Sequence, residues 1–194
     1  MFKYLVTILI FLNSTYTQYP FSNFINFNQV FLEAPIKCVN FDYQSQNIDG
    51  LPLSSDGMII IGNNIYKIIL EDHVFLFQNS NVKRYNKKTN QIFIEYSNPT
   101  LDSIIVNFFT ADNLNTIKLD SLGIITDSSI NFKSEALIMG LTFSTDSSFI
   151  SSLYIDYDEF NINLFNINFS NECIESGDPF SFNFTGAFTL DLRD

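Results

Sequence analysis

From Ile36 onward, apolar and polar side chains alternate along the chain. Val39, Phe41 and Tyr43 fall on one side, with Asn40 and Asp42 on the other, which is the period of a half-buried strand. Residues 44 to 56, with Gly50, Pro52 and several serines, read as a polar connection. A meander follows. Met58 to Ile61 is an apolar strand and Gly62-Asn-Asn64 a turn; Ile65 to Leu70 sets Tyr66, Ile68 and Leu70 opposite Lys67, and Glu71-Asp72 turns again. His73 to Phe77 places Phe75 and Phe77 on one face. Gln78-Asn-Ser80 and Asn86-Lys-Lys-Thr-Asn90 then bracket a short strand from Val82 to Tyr85, and Gln91 to Tyr96 alternates Ile92, Ile94 and Tyr96 with Gln91 and Glu95. Consecutive strands joined by loops this short must be antiparallel.

One segment departs from this rhythm. Leu101, Ile104, Ile105, Phe108 and Phe109 recur at helical spacing, with Thr100 placed as N-cap and Asp102 in the first turn, where the helix dipole favours an anion. A single amphipathic helix inserted into a sheet must lay its apolar face on that sheet or over a cleft, so this segment is the expected lid. Strands resume at Thr116 to Leu119, Ile124-Ile125, Ser134 to Thr145 and Phe149 to Asp156. In Phe160 to Phe169 the apolar parity switches between Leu164 and Phe165, which predicts a β-bulge and a bent, curling sheet. Residues 170 to 179 read as a polar loop. Phe180, Phe182 and Phe184 alternate with Ser181 and Asn183 as a final strand region, and Leu190-Asp-Leu-Arg193 closes the chain. Ahead of all this, Phe21, Phe24, Ile25, Phe27, Val30 and Phe31 fit either a short amphipathic helix or an irregular apolar lead-in.

Composition changes the picture in three ways. The 194 residues suit one domain, and 22 Phe and 9 Tyr without Trp favour strands and an aromatic interior. Lys3, the apolar run Tyr4 to Leu12 and the polar stretch Asn13 to Gln18 have the layout of a secretory signal peptide. The expected division is therefore a signal at 1–17 and one domain at 18–194, exported and without stable membrane insertion. The formal charge of −11 repels nucleic acid and anionic headgroups. The basic group Lys83, Arg84, Lys87 and Lys88 reads as a solvated hairpin tip. Two cysteines, Cys38 and Cys173, permit one disulfide in an exported chain.

Constellations for catalysis or metal binding are not evident. His73 is the single imidazole, and its parity groups it with Phe75 and Phe77. The acidic pairs Glu71-Asp72 and Asp158-Glu159 fall in expected turns. Asp156-Tyr-Asp158-Glu159 lacks the glycine and spaced acids of a calcium loop. Neither a phosphate loop nor a nucleophile elbow is present. The residues thus point to a non-enzymatic protein with no cofactor, no catalytic residues and no metal.

The order of these elements resembles the outer-membrane lipoprotein carrier (LolA) family over roughly residues 37 to 110. The features that carry it are Phe41-Asp-Tyr43, Gly57-Met-Ile-Ile-Ile61, Ile65-Tyr-Lys-Ile-Ile-Leu70, the turn Gln78-Asn-Ser80, the pair Tyr85-Asn86, and Gln91, followed by the amphipathic segment. The end of the chain, Asp178-Pro-Phe-Ser-Phe182 through Leu190-Asp-Leu-Arg193, is similar to the family's closing strand. The resemblance implies a mainly β fold, an open antiparallel β-barrel with a short helix as lid. It also implies a periplasmic monomer that binds acyl chains of lipoproteins in an apolar cleft, taking its cargo from an inner-membrane exporter and passing it to an outer-membrane acceptor. Mapped onto this sequence, the cleft residues are Tyr66, Ile68, Phe75 and Tyr85 from the sheet, and Ile104, Ile105 and Phe108 from the lid. One departure stands out: the family's Arg-Pro pair after the Gly-initiated strand, tied to how the lid is held and released, is replaced by Gly62-Asn-Asn64. The alternative is a secreted β-rich binding or structural protein with a filled core and no lipid cargo, and a hydrolase built on His73 is a more distant third.

Overall fold

The computed structural model describes residues 20–46, 52–97, 123–125, 129–133, 137–146, 148–157, 160–170, 173 and 177–193. Two short helices, α1 (Pro20–Phe27) and α2 (Gln29–Glu33), precede the strands. The strands are β1 (Lys37–Gln46), β2 (Pro52–Gly62), β3 (Ile65–Leu70), β4 (His73–Gln78), β5 (Asn81–Asn86), β6 (Gln91–Tyr96), β7 (Gly123–Ile125), β8 (Ser129–Lys133), β9 (Leu137–Phe143), β10 (Ile150–Tyr157), β11 (Phe160–Ser170) and β12 (Phe188–Asp191). All belong to one open sheet in the order β12-β6-β5-β4-β3-β2-β1-β11-β10-β9-β8-β7. The fold is mainly β. No helix among the described residues is long and apolar enough to cross a membrane.

The meander from β2 to β6 forms as its sequence dictates. Asn64, Asn79, Ser80 and Asn90 supply the positive φ angles of its turns, conformations that short polar side chains tolerate. Two elements differ from the alternation. β1 and β2 run on through Ser45 and Ser54, pairing Tyr43 with Ser55 and Gln44 with Ser54. Backbone pairing extends this hairpin although its side chains are polar on both faces, which is why the stretch reads as a connection. The expected strand from Ser134 to Thr145 is described from Leu137 and ends at Phe143, before Ser144 and Thr145, and a separate strand, β8, pairs with it. The strand expected at Thr116 to Leu119 and the amphipathic segment at Leu101 to Phe109 lie outside the described residues. The β11 bulge is present two residues beyond the parity switch: Asn166 has φ 51°, and the register against β1 shifts between Asn40 and Asp42. Asn166 Nδ2 donates to Asp42 Oδ2 at 2.6 Å across it.

Register assigns each side chain to a face. Val39, Ile59 and Ile68 are cross-strand neighbours, as are Ile61, Tyr66 and Phe77, and all point to the side on which the helices lie, the inner face. Phe24 packs edge-on against Phe143 and Phe169, at 6.0 and 5.6 Å, and Phe31 lies 4.7 Å from Phe169. The helices therefore cover the β1, β9, β10 and β11 part of the sheet. Asn28, between them, makes no cap but donates from Nδ2 to Phe24 O and to Ser148 O, and Asn23 Nδ2 donates to Asp146 O. These bonds tie the helix pair to the β9–β10 turn. Under the Phe41 ring the strand approaches so closely that a Cβ at Gly57 would sit 2.6 Å from it, so any larger residue would push the ring aside.

The outer face is covered by residues 177–187, a strap that belongs to no strand. The alternation of Phe180, Phe182 and Phe184, expected as a strand, comes instead from this irregular segment, which turns at Asp178–Ser181 and Phe184–Ala187 and sets Phe180 and Phe184 on the sheet. The Phe180 ring sits over Gly62, where a Cβ would lie 2.8 Å from it. The buried Lys67 donates from Nζ to Pro179 O and Ser181 O at 3.2 and 3.1 Å, and Phe184 stacks on Tyr85 at 3.7 Å. A disulfide joins Cys38 to Cys173 with Cα atoms 5.7 Å apart, closing 135 residues of chain. By the chain-entropy account, a loop of that length is worth up to about 5 kcal/mol. Replacing both cysteines with serine is expected to lower Tm by more than about 10 °C, measured by calorimetry, with the same loss on reducing the native chain. An unchanged Tm would show that the strap holds without its covalent tie.

Candidate functional site

The inner face changes character across the sheet. Beneath the helices most of it is buried, including Val39, Leu141, Phe143 and Ile150, with Phe169 half-buried. At β3 Tyr66 is still sealed, at 2% exposure, while Ile68, Leu70, Phe75 and Phe77 are only half-buried. These residues continue the core sideways, since Ile68, Leu70 and Phe77 all pack against it. Their rings form a row: Tyr66 stacks on Phe77 at 4.3 Å with planes 8° apart, Phe77 lies 6.2 Å from Phe75, and Phe75 lies 5.9 Å from His73. Pairing of Tyr66 with Phe77 and Ile68 with Phe75 places all four in register. Cross-strand aromatic pairs of this kind rigidify a sheet surface.

Polar groups bound the strip on two sides. On β5 and β6 the same face carries Arg84, whose guanidinium lies 4.6 Å over the Phe93 ring and 3.0 Å from Glu95 Oε1. At the β3–β4 end stand His73 and Tyr43. Burial, and then the positive charge of Arg84, holds the His73 imidazole below its ordinary pKa. Burial, followed by Glu71 and Asp72, raises the Tyr43 phenol above its own. Both shifts favour the neutral form, so the strip ends in uncharged rings. Such a surface offers area and shape. Among the described residues no three His, Cys, Asp or Glu side chains stand close enough to hold a metal ion.

Of the expected site residues, Tyr66, Ile68 and Phe75 lie together on this strip. Tyr85 does not. It pairs with Val74 on β4 and so points to the outer face, where it stacks on Phe184 and its hydroxyl donates to Asn90 Oδ1 at 3.0 Å. The reason is local: β5 carries Val82 and Arg84 on one side and Lys83 and Tyr85 on the other, so no apolar face declares itself, and register with β4 decides. Ile104, Ile105 and Phe108 lie outside the described residues. Phe77, Leu70 and Tyr43 belong to the strip but were not among the expected ligand residues. The parity of Phe77 with Phe75 signals it directly, whereas the Arg84–Phe93 contact needs the register. His73 sits with Phe75 and Phe77, as its parity predicts. A cleft of about 330 Å³ lies elsewhere, on the outer face, between Leu76, Lys83, Ile94 and Arg193. It is separated from the strip by the sheet itself.

Comparison with known proteins adds little. No family model and no curated protein matches the chain. Among solved structures 35 chains match. One is the crystal structure of an uncharacterized conserved protein from Thermus thermophilus, with TM-score 0.49 at 7% identity, covering 89% of this chain and 96% of that one.

His73 gives the face a pH signature. Its folded pKa is depressed, so the unfolded chain binds the proton more tightly, and stability falls as pH drops from about 6.5 toward the lower folded value. The Asp146 carboxyl, held at about 2 by hydrogen bonds from the Ser144 and Ser148 hydroxyls and the Ser148 N–H, titrates well below that window. Urea midpoints measured from about pH 7.5 to about pH 5 should decline for the native chain and flatten for His73→Gln. Parallel slopes for the two proteins would remove His73 as the cause.

Proposed function

We propose that this chain is a carrier of the outer-membrane lipoprotein type. In this reading it works in the periplasm, shelters the acyl chains of a lipoprotein on the inner face of a curled, incompletely closed barrel, and moves them from an inner-membrane exporter to an outer-membrane acceptor. The observation that carries the proposal is the half-buried apolar strip of Ile68, Leu70, Phe75 and Phe77, continuous with the core but beyond the part of the sheet the helices cover. An acyl chain has no polar group along its length, so its binding depends on apolar area. Each methylene removed from water is worth about 0.8 kcal/mol before ordering costs. A row of flat, stacked rings presents that area at low cost in side-chain freedom. The bulge at Asn166 supplies the bend a curling sheet needs. The expected lid residues Ile104, Ile105 and Phe108 lie outside the described residues, and the Cys38–Cys173 disulfide suits an oxidising compartment.

One observation favours the second reading, a secreted β-rich binding protein without lipid cargo. Phe24, Phe31 and Leu32 already fill the other half of the inner face, so a further segment of the chain could fill this half as well. Binding separates the two. An environment-sensitive apolar dye is expected to bind the purified protein and to be displaced by long-chain fatty acid. Phe75→Glu or Ile68→Glu should weaken that binding at least tenfold, about 1.4 kcal/mol, while Lys83→Gln on the outer face leaves it unchanged. Protein purified gently from its own source should carry acylated polypeptide detectable by mass spectrometry. No dye binding and no acyl-bearing molecule would leave the filled-core protein as the reading.

A further inference from the structure

Strand β12 ends the sheet on one side among the described residues. It runs parallel to β6, with the Phe188 N–H donating to Asn90 O at 3.1 Å and the Leu192 N–H to Ile94 O at 2.8 Å. Backbone groups alternate sides along a strand. Phe188, Leu190 and Leu192 therefore direct theirs to β6, and Thr189 and Asp191 direct N–H and C=O away from the sheet. Arg193 would be next in that outward row, but its N–H donates to Asp191 Oδ1 at 3.2 Å, which ends it. The side chains divide the same way. Phe188, Leu190 and Leu192 share the inner face, Leu190 beside Phe93, and Phe188 and Leu192 are 62% and 54% exposed. Asp191 and Arg193 are paired, Nε to Oδ1 at 2.8 Å, so this edge is locally neutral on a chain of charge −11. Neither proline nor lysine lies within Phe188–Asp191, and these are the usual devices that keep an edge from pairing.

Outward N–H and C=O groups at strand spacing are complementary to an extended polypeptide. The sequence is complementary to itself. Turned end for end about Leu190, Thr189 meets Asp191 of a second copy in a hydrogen-bonded pair, and Asp191 meets Thr189 in another. Phe188 then faces Leu192, Leu190 faces its own counterpart, and both lie on the same side. The hydrogen-bonded positions this register requires are the two whose backbone groups point outward. We infer that a second copy of this chain covers the β12 edge, as an antiparallel strand paired about Leu190, joining two sheets through their edges in place of the monomer expected from sequence. The contact is small beside the roughly 1,600 Å² of a standard interface, so the dimer is weak and concentration-dependent. Like net charge on the two copies opposes it, so salt strengthens it.

Sedimentation velocity of the full chain from about 5 µM to about 500 µM, a range suited to a weak interface, should show a shift from monomer to dimer, larger at high salt. Thr189→Pro removes an outward N–H without touching a bond to β6 and should leave the chain monomeric. Leu190→Cys should form a disulfide-linked dimer under mild oxidation, because residues facing each other across a non-hydrogen-bonded pair are the closer ones. Thr189→Cys alone should not, but should cross-link when mixed with Asp191→Cys. A folded chain that stays monomeric throughout overturns the inference, as does a dimer undiminished by Thr189→Pro. Self-linking of Thr189→Cys as fast as that of Leu190→Cys overturns it too, and this comparison decides the matter if Thr189→Pro fails to fold.

Discussion

A single sheet that is apolar on both sides must be covered twice, and the rest of this molecule follows from how that is done. Helices cover the inner face, since Phe24 and Phe31 reach into it at Phe143 and Phe169. The outer face falls to the last part of the chain, for a topological reason. β11 sits beside β1 in the middle of the sheet, and β12 pairs with β6 at its far edge. The segment between them must cross β1 to β5 on one face or the other, and it crosses on the outer one. A segment that makes no ladder bonds needs other anchors, and the buried Lys67 ammonium supplies one by donating to two of its carbonyls. Burying that charge without such acceptors would cost several kcal/mol.

Crossing on the outer side leaves the inner face of β3 and β4 to whatever else can cover it. The helix pair is too short to reach that far, thirteen residues in all, and burial falls from complete at Tyr66 to partial at Ile68 and Phe75 over one strand. The strip is bounded by groups that do not compete for an apolar occupant. Arg84 is spent on Glu95 and the Phe93 ring, and His73 and Tyr43 are biased to their neutral forms. A ligand bound there would be selected by length and girth more than by headgroup, because the strip provides area with few directional bonds.

Legibility in the sequence tracked how far each element's face is fixed locally. The meander from Met58 to Tyr96 was readable because its turns carry Asn, Ser and Gly at the residues that bend, and because Tyr66, Ile68, Phe75 and Phe77 alternate cleanly. The ends of β1 and β2 were not, since Ser54, Ser55 and Asp56 are held in the sheet by a partner strand and carry no period of their own. Phe180 to Phe184 shows that alternation also arises in an irregular segment seated on an apolar surface without pairing. Tyr85 shows the limit from the other side: on a strand with one apolar residue per face, an aromatic ring says nothing about which way it points until the neighbour's register is known.

The glycine of the turn Gly62-Asn-Asn64 gains a physical meaning from the strap. Gly62 closes β2 with its missing side chain directed to the outer face, under the Phe180 ring. A Cβ there would sit 2.8 Å from that ring, so a side chain at this position would make the Phe180 ring shift from its seat. Position 62 looks outward, away from Ile68, Phe75 and Phe77 on the inner face, so a side chain there would act on the strap and leave the strip untouched.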